Sequence, residues 1–86
     1  MFLKLHQYHN SSNYDKLPIW VNFNTIHTMR STTFNRNGVA VVVTELSNLI
    51  FDREGNEQLH LVHESSEVIC ELLKENKSVK LLFGGK

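Results

Sequence analysis

The chain has 86 residues, 41% of them hydrophobic, with nine Lys plus Arg against nine Asp plus Glu. A chain this short carries one small α+β domain, 1–86, that buries roughly 60–65% of the surface its unfolded form exposes, so its stability margin is thin. Zero net charge excludes an overall basic field for nucleic acid or anionic lipid. Residues 1–44 hold four basic groups against Asp15 alone, residues 45–86 five against eight acidic ones, and pairing between the halves is the expectation.

Cys70 is the single cysteine, so no intramolecular disulfide is expected and a reducing, cytoplasmic location is the inference. The opening Met-Phe-Leu-Lys-Leu-His lacks the pattern of a signal peptide, and no apolar run approaches the ~20 residues of a membrane span, so no membrane role is expected.

Phe2 to Tyr8 alternates apolar and polar positions, which predicts a half-buried strand with Leu3 and Leu5 inside. His9 to Lys16 is rich in side chains that compete for backbone hydrogen bonds and reads as a loop free to move. Pro18 opens a second strand through Phe23, with Ile19, Val21 and Phe23 on one side and Trp20 and Asn22 on the other. Asn22 and Asn24 mark a turn or bulge, and Ile26 to Phe34 is β-branched enough for a third strand.

Asn37-Gly38 suits the two positive φ angles of a type I′ turn. A two-residue turn there sets Phe34 opposite Val41, Thr32 opposite Val43 and Arg30 opposite Glu45, and the opposite-charge pair checks the register. Val39 to Val43 is apolar on both parities, which predicts a central strand covered on both faces. One helix covers one face; the N-terminal segment, sheet curvature or another subunit must cover the second.

Leu49-Ile50-Phe51 and Gln58 to Val62 flank a polar loop containing Gly55, predicting a second hairpin, with Ser47-Asn48 as a bulge or a turn. Ser65 or Ser66 caps a helix over about 65–76, with Val68, Ile69, Leu72 and Leu73 on one arc and Glu67, Glu71 and Lys74 opposite. Val79 to Phe83 reads as a short edge strand before a frayed Gly84-Gly85-Lys86 end. The fold expectation is therefore one antiparallel sheet of four to six strands under one C-terminal amphipathic helix.

For chemistry, His6/His9 and His60/His63 are spaced three apart, with His27 and Cys70 as possible additions to a zinc site. Residues three apart on a strand point to opposite faces, so neither pair chelates within a strand and no cofactor is expected. Cys70 falls at the border of the apolar arc, where a free cysteine acts as a small hydrophobe. No phosphate loop, Ser-His-Asp signature or Glu-x-x-His pair occurs, so no enzyme and no catalytic residues are expected. Trp20, Phe23, Arg30, Phe34 and Arg36 are the one aromatic and basic group that suits stacking on single-stranded nucleic acid.

Ile19-Trp20-Val21-Asn22 followed by Ile26, and Leu59 to Val68 followed by Leu72, resemble the small flagellar FlbD-type (SwrD-type) proteins over about half the chain. The resemblance implies a non-enzymatic accessory protein acting through protein contacts. The leading expectation is thus a small regulatory or interaction protein that self-associates as a homodimer or meets a protein partner, through Trp20, Phe23, Arg30, Phe34, Arg36, Val41 and Val43. A single-stranded nucleic-acid binder is the alternative, though not the favoured one, and a small zinc-binding domain the second alternative.

Overall fold

A computed structural model describes residues 1–84, and side chains as far as residue 75. Strands β1 (Phe2–His6), β2 (Pro18–Asn22), β3 (Thr28–Arg36), β4 (Val39–Phe51) and β5 (Glu57–Val62) precede helix α1 (Ser66–Gly84). The α+β class of the sequence reading holds.

The single sheet does not. β1 and β2 form a two-stranded antiparallel sheet, and β3, β4 and β5 a three-stranded one in the order β3-β4-β5. The two meet at a corner: Gln7 bridges Val62, the Tyr8 N–H donates to the Leu61 carbonyl at 2.7 Å, and the His63 N–H to the His6 carbonyl at 2.8 Å. Pairing stops there because the chain past His63 turns into the helix, and Glu64 Oε1 takes the His6 N–H that a longer ladder would use.

The β3–β4 hairpin has the register expected of its turn, including Phe34 opposite Val41, Thr32 opposite Val43 and Arg30 opposite Glu45. Asn37 and Gly38 take φ of 53° and 81°, both left-handed as a type I′ turn requires. β3 begins two residues later than Ile26, after the Asn24 N–H has closed onto the Asn22 side chain. β4 continues through the Ser47-Asn48 region as a bulge, where its pairing with β5 shifts between Ser47 and Phe51 and Leu49 takes φ 59°.

The core lies between the helix and one side of both sheets, built from Leu3, Leu5, Val21, Leu46, Val62 and Ile69, with Ile19, Phe23, Ile26, Met29, Leu72 and Leu73 packed around it. Ser65 caps α1, its side chain accepting the Val68 N–H and its carbonyl the Ile69 N–H. Val68, assigned to the buried arc from the sequence, is instead exposed. The backbone stays helical over Val79 to Phe83, where an edge strand was expected. That stretch has no proline and its Leu and Lys residues favour helix, so nothing ends α1 before Gly84. The frayed end expected at Gly85 and Lys86 falls outside the described residues.

Burial of both faces of Val39 to Val43 is also corrected. Val43 is buried, whereas Val39 and Val42 are 63% and 62% exposed and Ala40 is exposed. The two sides of the strand differ: Ala40 and Val42 share the helix side but lie at the turn end, away from the Met29–Leu46 pair that packs with α1, whereas Val39 and Val43 lie on the opposite side, which the helix does not reach.

Candidate functional site

Strand alternation divides β3–β5 into two faces. Met29, Leu46 and Val62 face the helix; Arg30, Thr32, Phe34, Val41, Val43, Glu45 and Leu61 face away from it. Tyr8 follows β1 on that second side and is buried, its ring stacked on Phe34 at 5.4 Å and 11°. The buried face carrying Val43 is thus closed by the chain's own N-terminal segment.

Asp15 clamps that segment. Its carboxylate meets His63 Nε2 at 2.7 Å and Arg36 Nη1 at 2.9 Å, and accepts the His9 N–H at 3.1 Å. Arg36 also donates to the Asn10 carbonyl at 3.2 Å and lies 5.8 Å from the Tyr8 ring centroid, while the Tyr8 hydroxyl donates to Asn10 Oδ1. The hydrogen bond from His63, reinforced by Arg36 and opposed by burial, holds the Asp15 carboxyl far below the usual carboxylate range. The loop read as free to move is therefore tied to β3 and to the end of β5.

An aspartate orienting a histidine is half of a nucleophile-activating arrangement. Among the described residues no hydroxyl or thiol hydrogen-bonds His63, so the pair functions as a clamp in this geometry. The other histidines disperse. His6 Nδ1 lies 2.7 Å from Glu64 Oε2, His9 Nδ1 accepts the Ser11 N–H, and Cys70 is exposed on α1. Burial pushes the Glu64 carboxyl up, but the His6 backbone and ring N–H groups outweigh it and leave the carboxyl below its ordinary value. No group of three His, Cys, Asp or Glu is placed to hold a metal among the described residues.

On the same face, toward the end of β3 away from Arg36, an open depression of about 390 Å³ is lined by Arg30, Glu45, Ser47, Glu57, Leu49 and Leu59. Arg30 Nε donates to Glu45 Oε1 at 2.8 Å, which raises the guanidinium pKa, and the Ser47 hydroxyl donates to Glu57. All of these charged groups already have partners within the chain.

The seven residues proposed from the sequence do not form one surface. Trp20 is exposed on β2 in the two-stranded sheet, and Phe23 packs against the core. Arg30 is exposed and paired; Phe34 is half-buried under Tyr8; Arg36 is half-buried and clamped; Val41 is half-buried and Val43 fully buried. Phe34, Arg36, Val41 and Val43 come together as a second apolar group and its lid, while Trp20 lies in the other sheet and Arg30, on the same face of β3, is exposed and paired with Glu45. The clamp itself was missed, although Asp15 is the sole carboxylate among the first forty-four residues, which singles it out.

Large apolar side chains remain outside. Phe2 and Trp20 share the outer side of the β1–β2 sheet, where Phe2 faces Asn22 and Lys4 faces Trp20. Leu49, Ile50, Phe51 and Leu59 lie exposed about the β4–β5 end, and Val39 and Val42 at the β3–β4 tip. No family model, no curated protein and no solved structure matches the chain. No helix among the described residues is long and apolar enough to cross a membrane.

Proposed function

We propose that this chain is a small, non-enzymatic accessory protein of the cytoplasm that acts through protein contacts and self-associates. One observation carries the reading: among the described residues eleven large hydrophobic side chains are exposed and eight hydrophobic ones buried. A folded domain normally leaves scattered apolar atoms at its surface, but exposed Phe, Trp, Leu and Ile gathered at particular strand ends mark surfaces that another chain covers. The polar groups argue the same way, because each carboxylate and cation at the clamp and the depression already has an internal partner. The resemblance to FlbD-type accessory proteins is consistent with this role. The exposed single thiol of Cys70 suits a reducing compartment.

Light scattering over a micromolar concentration series tests the reading. The expected result is a mass that rises above that of one chain as concentration increases. A mass that stays monomeric to high micromolar concentration overturns the self-association.

A further inference from the structure

β3 is an outer strand of its sheet, so β4 satisfies only one of its two edges. The Asn37-Gly38 turn decides which groups are left. In a two-residue hairpin the flanking residues form a hydrogen-bonded pair, so Arg36, Phe34, Thr32, Arg30 and Thr28 direct their N–H and C=O toward β4. Those of Met29, Ser31, Thr33 and Asn35 point outward, and Ser31, Thr33 and Asn35 are exposed.

Open edges are usually guarded by proline, by a bulge or by an unpaired charge. β2 is five residues long and starts with Pro18. β3 has none of these devices: it pairs with β4 without interruption over nine residues, and its two arginines are neutralised inside the chain by Glu45 and Asp15.

We propose that two copies of this chain join through β3, antiparallel, about a two-fold axis at Thr32. The inference rests on the self-association reading above and names its surface. Thr32 is the midpoint of Thr28–Arg36, so this register overlaps the whole strand, and it sets outward-pointing residues against outward-pointing residues. Ser31 then faces Thr33 of the second copy and Met29 faces Asn35, giving about eight inter-chain backbone hydrogen bonds. On the other side Arg30 faces Phe34 of the second copy, a cation beside a ring, and Thr28 faces Arg36. Moving the axis one residue toward the turn brings Arg30 opposite Arg36, and moving it two residues the other way brings Arg30 opposite Arg30, so like charge disfavours both. The dimer makes the three-stranded sheet one of six.

Two variants test it, with light scattering for the mass and circular dichroism for the fold. Ser31→Lys combined with Thr33→Lys sets ammonium against ammonium across the edge, and the dimer should weaken about ten-fold or more with the spectrum unchanged. In a Cys70→Ser background Thr32→Cys should form a disulfide dimer under mild oxidation, whereas Asn35→Cys, far from its own copy in this register, should not. A wild-type dimer that survives the lysine pair, in a chain whose Thr32→Cys variant stays uncrosslinked, overturns the β3 edge and leaves self-association standing. A wild-type chain that is monomeric throughout overturns both, and leaves β3 as an edge for another protein's strand.

Discussion

Asp15 Oδ1 lies 2.7 Å from His63 Nε2, across forty-eight residues of sequence, and the second oxygen of the same carboxylate takes Arg36 from a third segment. One side chain thus holds the loop after β1 against both β3 and the end of β5. Its hydrogen bond to His63 depresses the carboxyl pKa, so the folded state binds fewer protons than the unfolded one through the acid range. The contribution is fully present above the unfolded carboxylate value of about 3.9 and is lost as pH falls below it. Asp15→Asn should lower Tm at neutral pH and should lose less between pH 6 and pH 3 than the wild type, as read by thermal melts at both. Asp52 and Glu64, also shifted down, keep part of the acid sensitivity in the variant. Identical acid losses in the two proteins would show that the clamp contributes nothing.

Gly38 tests the turn. Its φ is 81°, yet a Cβ built there meets nothing within 4 Å. The penalty for Gly38→Ala is therefore backbone strain alone, about 1–2 kcal/mol, with no steric addition, and Gly38→Val should cost somewhat more because of its β-branch. Urea unfolding measures both, and a loss well above this range for alanine would mean that side-chain packing at the tip had been overlooked.

Leu49 presents the reverse case. It holds φ 59°, a region that side chains of its kind rarely adopt, while half of its surface is exposed. Asn tolerates this conformation, so Leu49→Asn should stabilise the monomer by about 0.5–1 kcal/mol in urea unfolding at low protein concentration. If the same substitution reduces association, the strained leucine is retained for contact rather than for folding. Destabilisation would instead place Leu49 among the residues that hold the bulge.

The fold was legible where it is decided locally. Asn37-Gly38 specifies its turn by two φ angles, and from that turn every pair down to Arg30–Glu45 follows by counting. Leu3 and Leu5 alternate with Lys4 and His6 and are buried accordingly. What was illegible depends on distant segments meeting. Tyr8, Asp15, Arg36 and His63 come from four parts of the chain, and no local pattern announces that a loop carrying one aspartate will close over a valine-rich strand. Val39 to Val43 misled for a related reason: composition says that each valine could be buried, but which ones are depends on where the helix covers one side and the Tyr8 segment the other.

Phe34 separates the surface reading of its residue group from the structural one. As part of an exposed interaction face, its replacement would weaken association and leave the monomer intact. In the structure it is half-buried, it stacks on the buried Tyr8 ring, and it shares a face with buried Val43 two registers along. Phe34→Ala should therefore destabilise the monomer itself by about 2 kcal/mol, below the 3–5 kcal/mol of a fully enclosed ring. Removing the ring also loosens the lid that Tyr8 forms, so hydrogen exchange at the Tyr8 and His63 amides, which bond across to β5 and β1, should quicken while the Leu3 and Leu5 amides stay protected. Tyr8→Phe is the control: it keeps the stack and loses only the hydroxyl bond to Asn10, and it should cost about 0.5–1 kcal/mol. A Phe34→Ala chain as stable as the wild type would remove Phe34 from the apolar group it forms with Tyr8 and Val43.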